Sequence, residues 1–576
     1  MIKIWRYYGS YFGAGATITD IAITETTTAD GVYTDEVLSS IAESGFNGIW
    51  VHGQLHNLVW REEFPELAPL AALHQERMNS LIRRAAKYGI KVYLYMQPPR
   101  ALPVADEAFW NAHPDVRGQV VRMPAHLPDA PLYRSLCTST EIVRQYIRNG
   151  MADLTRALPG LGGYIIISAS EYPAHCYTHR NRENVECPRC GARPRGEVIA
   201  ELLQTLRDGI REVSADTALI VWNWSWRYNG GEDYIVEHLP EDVIYMADFE
   251  RGGYQDRLGH KNHGMDEYCI SYPGPSEQFV ETVEIARKRG LQCSAKLQFG
   301  TTHEVADVPN IPLIGNLFLK ADYLRKNGIK AFMGCWNFGN MITANTAAFN
   351  YFLSDKAPDD QRQAVETFAA DYFPGCDAAK AAQAWDVMAK AMLSYPFGIP
   401  YIYFGPTNWV LAHFQEPAPF RMETCGRSWY FDQDRADDIS MVVTEFTEEE
   451  ILNGLQALVP GWEEGCRLFE AAVQTAADDR HKREELDNVY VLLAIFRSSV
   501  NYFRLRNIRR DFEHFDRAAY NAVSADELEN LRSVLPLVER DPRFGFHAEP
   551  GGYMFDAASI RAKIARLEEV LASPGM

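Results

Sequence analysis

Two glutamates are spaced for a specific chemistry. Glu171 closes the apolar run GGYIIISASE (162–171), and Glu304 follows the run LQCSAKLQFG (291–300). Cleavage of a glycosidic bond needs a protonated carboxyl beside the leaving oxygen and a second carboxylate at the anomeric carbon. A carboxyl at the end of an apolar strand is poorly hydrated, so its pKa rises and it keeps its proton longer. That suits Glu171 to the acid and Glu304 to the second position. Asp248 and Glu250, which end the run DVIYMADFE (242–250), are the rival second carboxylates. Each of these alone is equally well a solvated loop carboxylate.

A second group follows Glu171 directly. In HCYTHRNRENVECPRC (175–190), Cys187 and Cys190 have the CxxC spacing of a zinc knuckle, Cys176 lies upstream, and His175 and His179 flank it. Three thiolates and one imidazole complete a tetrahedral site, so the expectation is structural zinc on Cys176, Cys187, Cys190 and His179, bracing the loop that carries Glu171. The plainer reading is a set of reduced thiols in a polar loop.

These residues need elements to position them. Eight short apolar runs (3–11, 47–54, 90–97, 162–171, 218–226, 242–250, 291–300 and 329–339) alternate with helical patterns such as 35–45, 74–89 and 276–290. Three of those helices close on a glycine just before the next strand. Eight such alternations predict a (β/α)8 TIM barrel. An open doubly wound sheet is the runner-up, and no glycine-rich phosphate loop follows any strand. In a barrel, function gathers where the strands end. The runs end in Arg6, Tyr7 and Tyr8; His52, Gln54 and His56; Gln97 and Arg100; Glu171; Trp222, Asn223, Trp224 and Trp226; Asp248 and Glu250; His303 and Glu304; and Trp336 and Asn337. A rim that is polar and aromatic at every strand suits a hydroxyl-rich ligand. Trp222, Trp224 and Trp336 are expected to stack on a sugar. Tyr8, His52, Gln97, Asp248, Glu250, His303 and Asn337 are expected to contact the substrate. Beyond residue 355 the strand signal fades and helical periodicity takes over at 361–373, 378–395, 448–476, 481–515, 525–541 and 559–573. The expected division is a barrel over 1–355 and a mostly α-helical C-terminal domain over 356–576. The 396–447 stretch reads as irregular. The aromatic turn at 539–553 either packs between helices or lends His547 or Arg543 to the barrel mouth.

Composition narrows the partners. The 576 residues carry 57 Lys and Arg against 77 Asp and Glu, a net charge of −20, which disfavours nucleic acid and anionic membrane. Aromatic residues reach 12%, consistent with sugar-ring faces or simply with a large core. The N-terminus has no apolar signal segment and the ten cysteines form no regular framework, so a reducing cytoplasm is expected. A homo-oligomer is compatible with all of this.

The strand-four and strand-seven glutamates resemble those of the large clan of retaining (β/α)8 glycosidases. The segments 136–154, 167–176, 333–340 and 349–375 are similar to bacterial exo-glycosidases related to the hexosaminidases and α-glucuronidases. The resemblance implies a retaining, exo-acting glycoside hydrolase on an oligosaccharide or glycoside, with Glu171 as acid/base and Glu304 as nucleophile. Ser170 departs from the pattern. It stands where that clan has an Asn for the sugar 2-hydroxyl, and where hexosaminidases have an Asp for the substrate acetamide. The alternatives are a non-catalytic carbohydrate-binding barrel and a metal-dependent sugar isomerase or lyase.

Overall fold

A computed structural model describes residues 1–10, 25–123, 129–180, 182–337, 339–423, 427, 429, 435–477 and 479–573. Tyr11, Phe338 and part of the 396–447 stretch lie outside the described residues. The eight predicted runs form eight strands: β1 (Ile2–Trp5), β2 (Gly48–His52), β3 (Lys91–Met96), β4 (Gly163–Ile167), β5 (Ala218–Trp222), β6 (Ile244–Asp248), β7 (Gln292–Leu297) and β8 (Ala331–Gly334). They close in the order β1-β8-β7-β6-β5-β4-β3-β2, and every pairing is parallel. Strands β2, β4 and β6 are buried at every position, because parallel barrel strands are covered on both faces. The predicted helices appear at Asp35–Glu43, Ala71–Ala86 and Glu277–Lys288. Gly45, Gly89 and Gly290 follow them at φ of 88°, 69° and 75°, the left-handed stop that only glycine adopts without cost.

One insertion has no clear period in the sequence. Between β3 and β4, residues Leu102–Pro103, Arg117–Arg122 and Leu132–Leu136 form a three-stranded antiparallel sheet. Tyr133 from this sheet packs edge-on against Tyr172, with ring centroids 5.4 Å apart.

The chain divides into two compact units, each built from several stretches. The first comprises Met1–Phe249, Gln278–Leu297 and Ile329–Gly334 and holds all eight strands. The second comprises Glu250–Glu277, Gln298–Gly328 and Cys335–Met576. The expected cut at 355 follows the end of the strand pattern. The segments after β6, β7 and β8 find their partners within the second unit instead. Arg257 donates to the Met392 carbonyl, Asn345 Nδ2 donates to the Phe299 carbonyl at 2.8 Å, and Asn488 Nδ2 donates to the Asn310 carbonyl at 2.9 Å.

The second unit is mostly helical, with Gln361–Tyr372, Ala378–Ala391, Glu448–Val473, Arg480–Arg509, Arg517–Arg540 and Ala557–Ala572. Each of these begins behind an N-cap side chain (Asp360, Asp377, Thr447, Asp479, Asp516 and Asp556) that accepts a backbone N–H of the first turn. The helix expected from 525 starts at Arg517, because Asp516 caps it before the apolar period begins. Among the described residues, no helix is long and apolar enough to cross a membrane.

Candidate active site

In the first unit, the strand ends converge on a polar network. Arg6 and Glu25 form an ion pair at 2.6 Å, each side chain 1% exposed, and Glu25 Oε2 accepts the His52 N–H at 2.7 Å. Arg6 is therefore a support for the end of β2. Gln54 Nε2 lies 2.9 Å from His52 Nε2 and donates to Gln97 Oε1 at 2.9 Å. Gln97 Nε2 donates to the Tyr95 hydroxyl at 2.7 Å, and Arg100 donates to Gln97 Oε1 at 3.2 Å. The Arg100 guanidinium lies 3.4 Å from the centroid of the Tyr172 ring, the residue after Glu171. Burial, reinforced by the charge of Arg100, holds the His52 imidazole well below its ordinary pKa, so it is neutral at neutral pH and offers hydroxyl-type hydrogen bonding.

Glu171 sits just past β4, partly buried, at φ 63°. A non-glycine residue in the left-handed region costs on the order of 1 kcal/mol and persists where its surroundings over-determine it, most often at functional sites. His179 Nε2 lies 2.9 Å from the Glu171 carbonyl oxygen, and the His179 N–H donates to the Ala169 carbonyl at 3.0 Å. Two indoles after β5 tie this segment down, and a third, at the end of β5, holds Asp248. Trp224 Nε1 donates to Ser170 Oγ at 2.5 Å, Trp226 Nε1 to Ser168 Oγ at 3.0 Å, and Trp222 Nε1 to Asp248 Oδ1 at 2.7 Å. Ser170, the departure noted in the sequence, thus serves as an acceptor for an indole. Trp222 is covered, whereas Trp224 is partly exposed. Lys296 near the end of β7 stands 5.7 Å from the Trp222 ring centroid. Tyr8 stacks obliquely on Tyr7, with centroids 4.7 Å apart. Asn223 turns away to Glu232, donating at 2.8 Å.

In the second unit, two of the predicted carboxylates are committed to structure. Glu250 is fully buried and ion-paired with the equally buried Lys320, and its Oε1 accepts the Gln298 N–H at 2.9 Å. Glu304 is also fully buried. Its Oε2 accepts Ile270 N–H at 2.8 Å, Ser271 N–H at 3.3 Å and Thr302 Oγ1 at 3.2 Å, and its Oε1 accepts the Ser271 hydroxyl and the Cys269 thiol. A nucleophile needs an oxygen directed at the anomeric carbon. Both Glu304 oxygens instead hold the 269–271 segment, which corrects the expectation of Glu304 as nucleophile and of Glu250 as a substrate contact. The sequence carries little sign of this, because apart from Thr302 the donors come from the 269–271 segment more than 30 residues away.

His303 gathers an aromatic group that the sequence did not anticipate. Its ring lies 4.7 Å from Tyr268, 5.2 Å from Tyr403, 4.8 Å from Trp429 and 5.7 Å from His547, and Nε2 is 3.2 Å from Glu549. His547 therefore joins His303, while Arg543 pairs with Asp541 at 2.6 Å. Trp336 and Asn337 follow β8 and are buried.

Asp307 is fully buried, and neither carboxylate oxygen has a hydrogen-bond partner among the described residues. Burial pushes its pKa well above the carboxylate range. An acid with a raised folded pKa imposes no penalty below about pH 4, where both states are protonated, and an increasing one as pH rises toward the folded pKa. Asp307→Asn is expected to flatten that loss, raising the melting temperature at pH 8 more than at pH 5. An equal change at both pH values would mean that Asp307 does not titrate differently on folding.

The cysteines are drawn together in the first unit. Cys137, Cys176, Cys187 and Cys190 place all four sulfurs within 4.8 Å of one another. This corrects the expected set. Cys137, 50 residues before Cys187, takes the place assigned to His179, whose ring turns to the Glu171 carbonyl. His175 is likewise used elsewhere, facing the Ser168 carbonyl through Nε2 and accepting the Tyr177 N–H on Nδ1 at 3.2 Å.

The architecture is thus a closed (β/α)8 barrel with a carboxylate, amide and indole rim, followed by a mostly helical region. No protein family and no curated protein matches the sequence. Among solved structures, a GH138 enzyme targeting pectin rhamnogalacturonan II aligns with TM-score 0.53 at 9% identity, covering 98% of this chain and 67% of its own. An O-GlcNAc hydrolase mutant of Thermobaculum terrenum aligns with TM-score 0.36 at 11% identity, over 93% and 90% of the two chains. The protein CpGH84B aligns with TM-score 0.37 at 11% identity, over 98% and 76%. The first of these likenesses shows a shared fold.

Proposed function

We propose that the protein is a retaining, exo-acting glycoside hydrolase that removes a terminal sugar from an oligosaccharide or glycoside. The observation that carries this reading is Glu171, a carboxyl held in left-handed backbone at the C-terminal end of barrel strand β4, where barrel enzymes do their chemistry. In this reading Glu171 protonates the leaving oxygen. Asp248, the last residue of β6, replaces Glu304 as the second carboxylate, its orientation set by the Trp222 N–H. Asp248 attacks the anomeric carbon as the glycosidic bond breaks, and water then cleaves the glycosyl-enzyme ester with Glu171 acting as base. His52 and Gln97 bind hydroxyls, and the partly exposed Trp224 packs on the sugar ring. Exo action is favoured by the sheet inserted after β3, which packs on Tyr172 and adds a wall beside the acid.

A panel of aryl α- and β-glycosides of hexoses, pentoses and uronic acids tests the reading. Uronic acids belong in it because the GH138 enzyme of like fold targets a pectin and because Arg100 supplies a buried cation beside Tyr172. One glycoside should turn over, proton NMR should show the retained anomer first, and Asp248→Asn should abolish turnover. An inverted first product would remove Asp248 as nucleophile. Sugar binding without turnover, unchanged in Glu171→Gln, would make the barrel a binding module.

A further inference from the structure

We propose that Cys137, Cys176, Cys187 and Cys190 bind one Zn²⁺ as a closed four-thiolate site. The argument is geometric. A tetrahedral zinc with Zn–S bonds of about 2.3 Å places its sulfurs about 3.8 Å apart. Cys137 Sγ lies 3.6 Å from Cys187 Sγ and 3.6 Å from Cys190 Sγ, and the whole set falls within 4.8 Å. A disulfide needs about 2.05 Å, so these are four thiols and not two bridges. Four sulfurs drawn from three separate stretches to one point is more than apolar packing of thiols requires, and tetrahedral S4 is a zinc geometry.

The surroundings fit the same reading. All four cysteines are buried, Cys187 being the most accessible at 4%. The CxxC turn is closed by backbone bonds, Gly191 N–H to Cys187 carbonyl at 2.8 Å and Arg193 N–H to Cys190 carbonyl at 2.9 Å. The Ser139 hydroxyl lies 3.3 Å from Cys190 Sγ, placed to donate to a thiolate, and Tyr177 OH donates to the Cys190 carbonyl at 3.0 Å. Gly118 leaves the room the cluster needs, since a Cβ there would come within 2.8 Å of Cys176 Sγ. With four protein ligands no coordination position is open to substrate, so the ion is structural. Binding displaces the four thiol protons to solvent and involves no change of oxidation state.

The ion would join three pieces of chain: the inserted sheet through Cys137, the segment after Glu171 through Cys176, and the turn before helix Arg195–Arg211 through Cys187 and Cys190. The metal site stands on geometry alone. Its consequence for Glu171 rests on the proposed function.

Elemental analysis of the full-length protein purified under reducing conditions is the test. We expect about one zinc per chain, and cobalt exchanged into the site should give the intense thiolate-to-cobalt charge-transfer absorption of a tetrahedral four-sulfur centre. Cys137→Ser should lose the metal, whereas His179→Gln should keep it. Where Cys137→Ser fails to fold, the cobalt spectrum of the wild-type protein decides. Metal-free protein whose four thiols titrate freely without change in melting temperature would overturn the proposal. So would iron in place of zinc, or zinc lost from His179→Gln and retained in Cys137→Ser. None of these readouts uses activity, so a protein inactive on every glycoside would leave the zinc result intact.

Discussion

Glu171→Gln is expected to reduce turnover of a glycoside with a poor leaving group by about 10²–10⁴-fold, the usual contribution of a positioned general acid. The change is nearly isosteric and the side chain is only partly buried, so the fold should survive it. The loss should be much smaller for the bond-breaking step of an activated aryl glycoside, because a good leaving group departs without a proton. Equal losses on both substrates would count against Glu171 as the acid. The backbone supplies a control that separates chemistry from structure. Glycine at φ 63° is unstrained, which offsets the freedom it adds to the unfolded chain, so Glu171→Gly should unfold near the temperature of the parent while losing the same activity. An inactive variant of undiminished stability is what a residue kept at a conformational cost for its chemistry produces. A destabilised Glu171→Gly would show instead that the side chain serves to hold the loop.

Lys320→Met is expected to destabilise the protein by about 3–5 kcal/mol, the cost of leaving a buried charge without its partner. Lys320 and Glu250 are both fully buried and paired, and Glu250 also accepts the Gln298 N–H at 2.9 Å. Methionine keeps most of the length of the lysine side chain but not its charge, so Glu250 would have to take up a proton. The double variant Lys320→Met/Glu250→Gln should recover most of the loss, because a neutral amide can still accept the Gln298 N–H. Denaturant unfolding of the two single variants and the double variant measures the coupling directly. A Lys320→Met change within about 0.5 kcal/mol would mean that the pair contributes nothing as a pair. Glu250 would then be available again as a site carboxylate.

Much of the architecture was legible in the sequence. The eight strands are short runs of apolar residues whose burial on both faces leaves a continuous hydrophobic signature, as in GYIII and GIWVH. Helix stops were written in single residues, with Gly89 and Gly290 as left-handed ends, whereas the caps Asp360, Asp377 and Asp479 emerged only with the structure. The three-stranded insertion escaped because its strands are short and one is only Leu102–Pro103. The strand ends were also legible, which is why Glu171, His52, Gln97 and Asp248 stand where they were expected in the chain.

The amino-acid sequence by itself determined the barrel, the helical region after it, the place of Glu171 behind β4 and the three cysteines that lie close together. These follow from interactions among residues a few positions apart, and periodicity and capping act at that range. The tertiary structure alone decided which distant groups meet. It brought Cys137 to Cys187 across 50 residues and turned His179 to the Glu171 carbonyl. It also engaged Glu304 with Ser271 across 33 residues, and Lys320 with Glu250 across 70. A carboxylate carries no local mark of whether it will face substrate or a buried N–H. That outcome depends on closure of the barrel and on the pairing demanded of every polar group taken out of water.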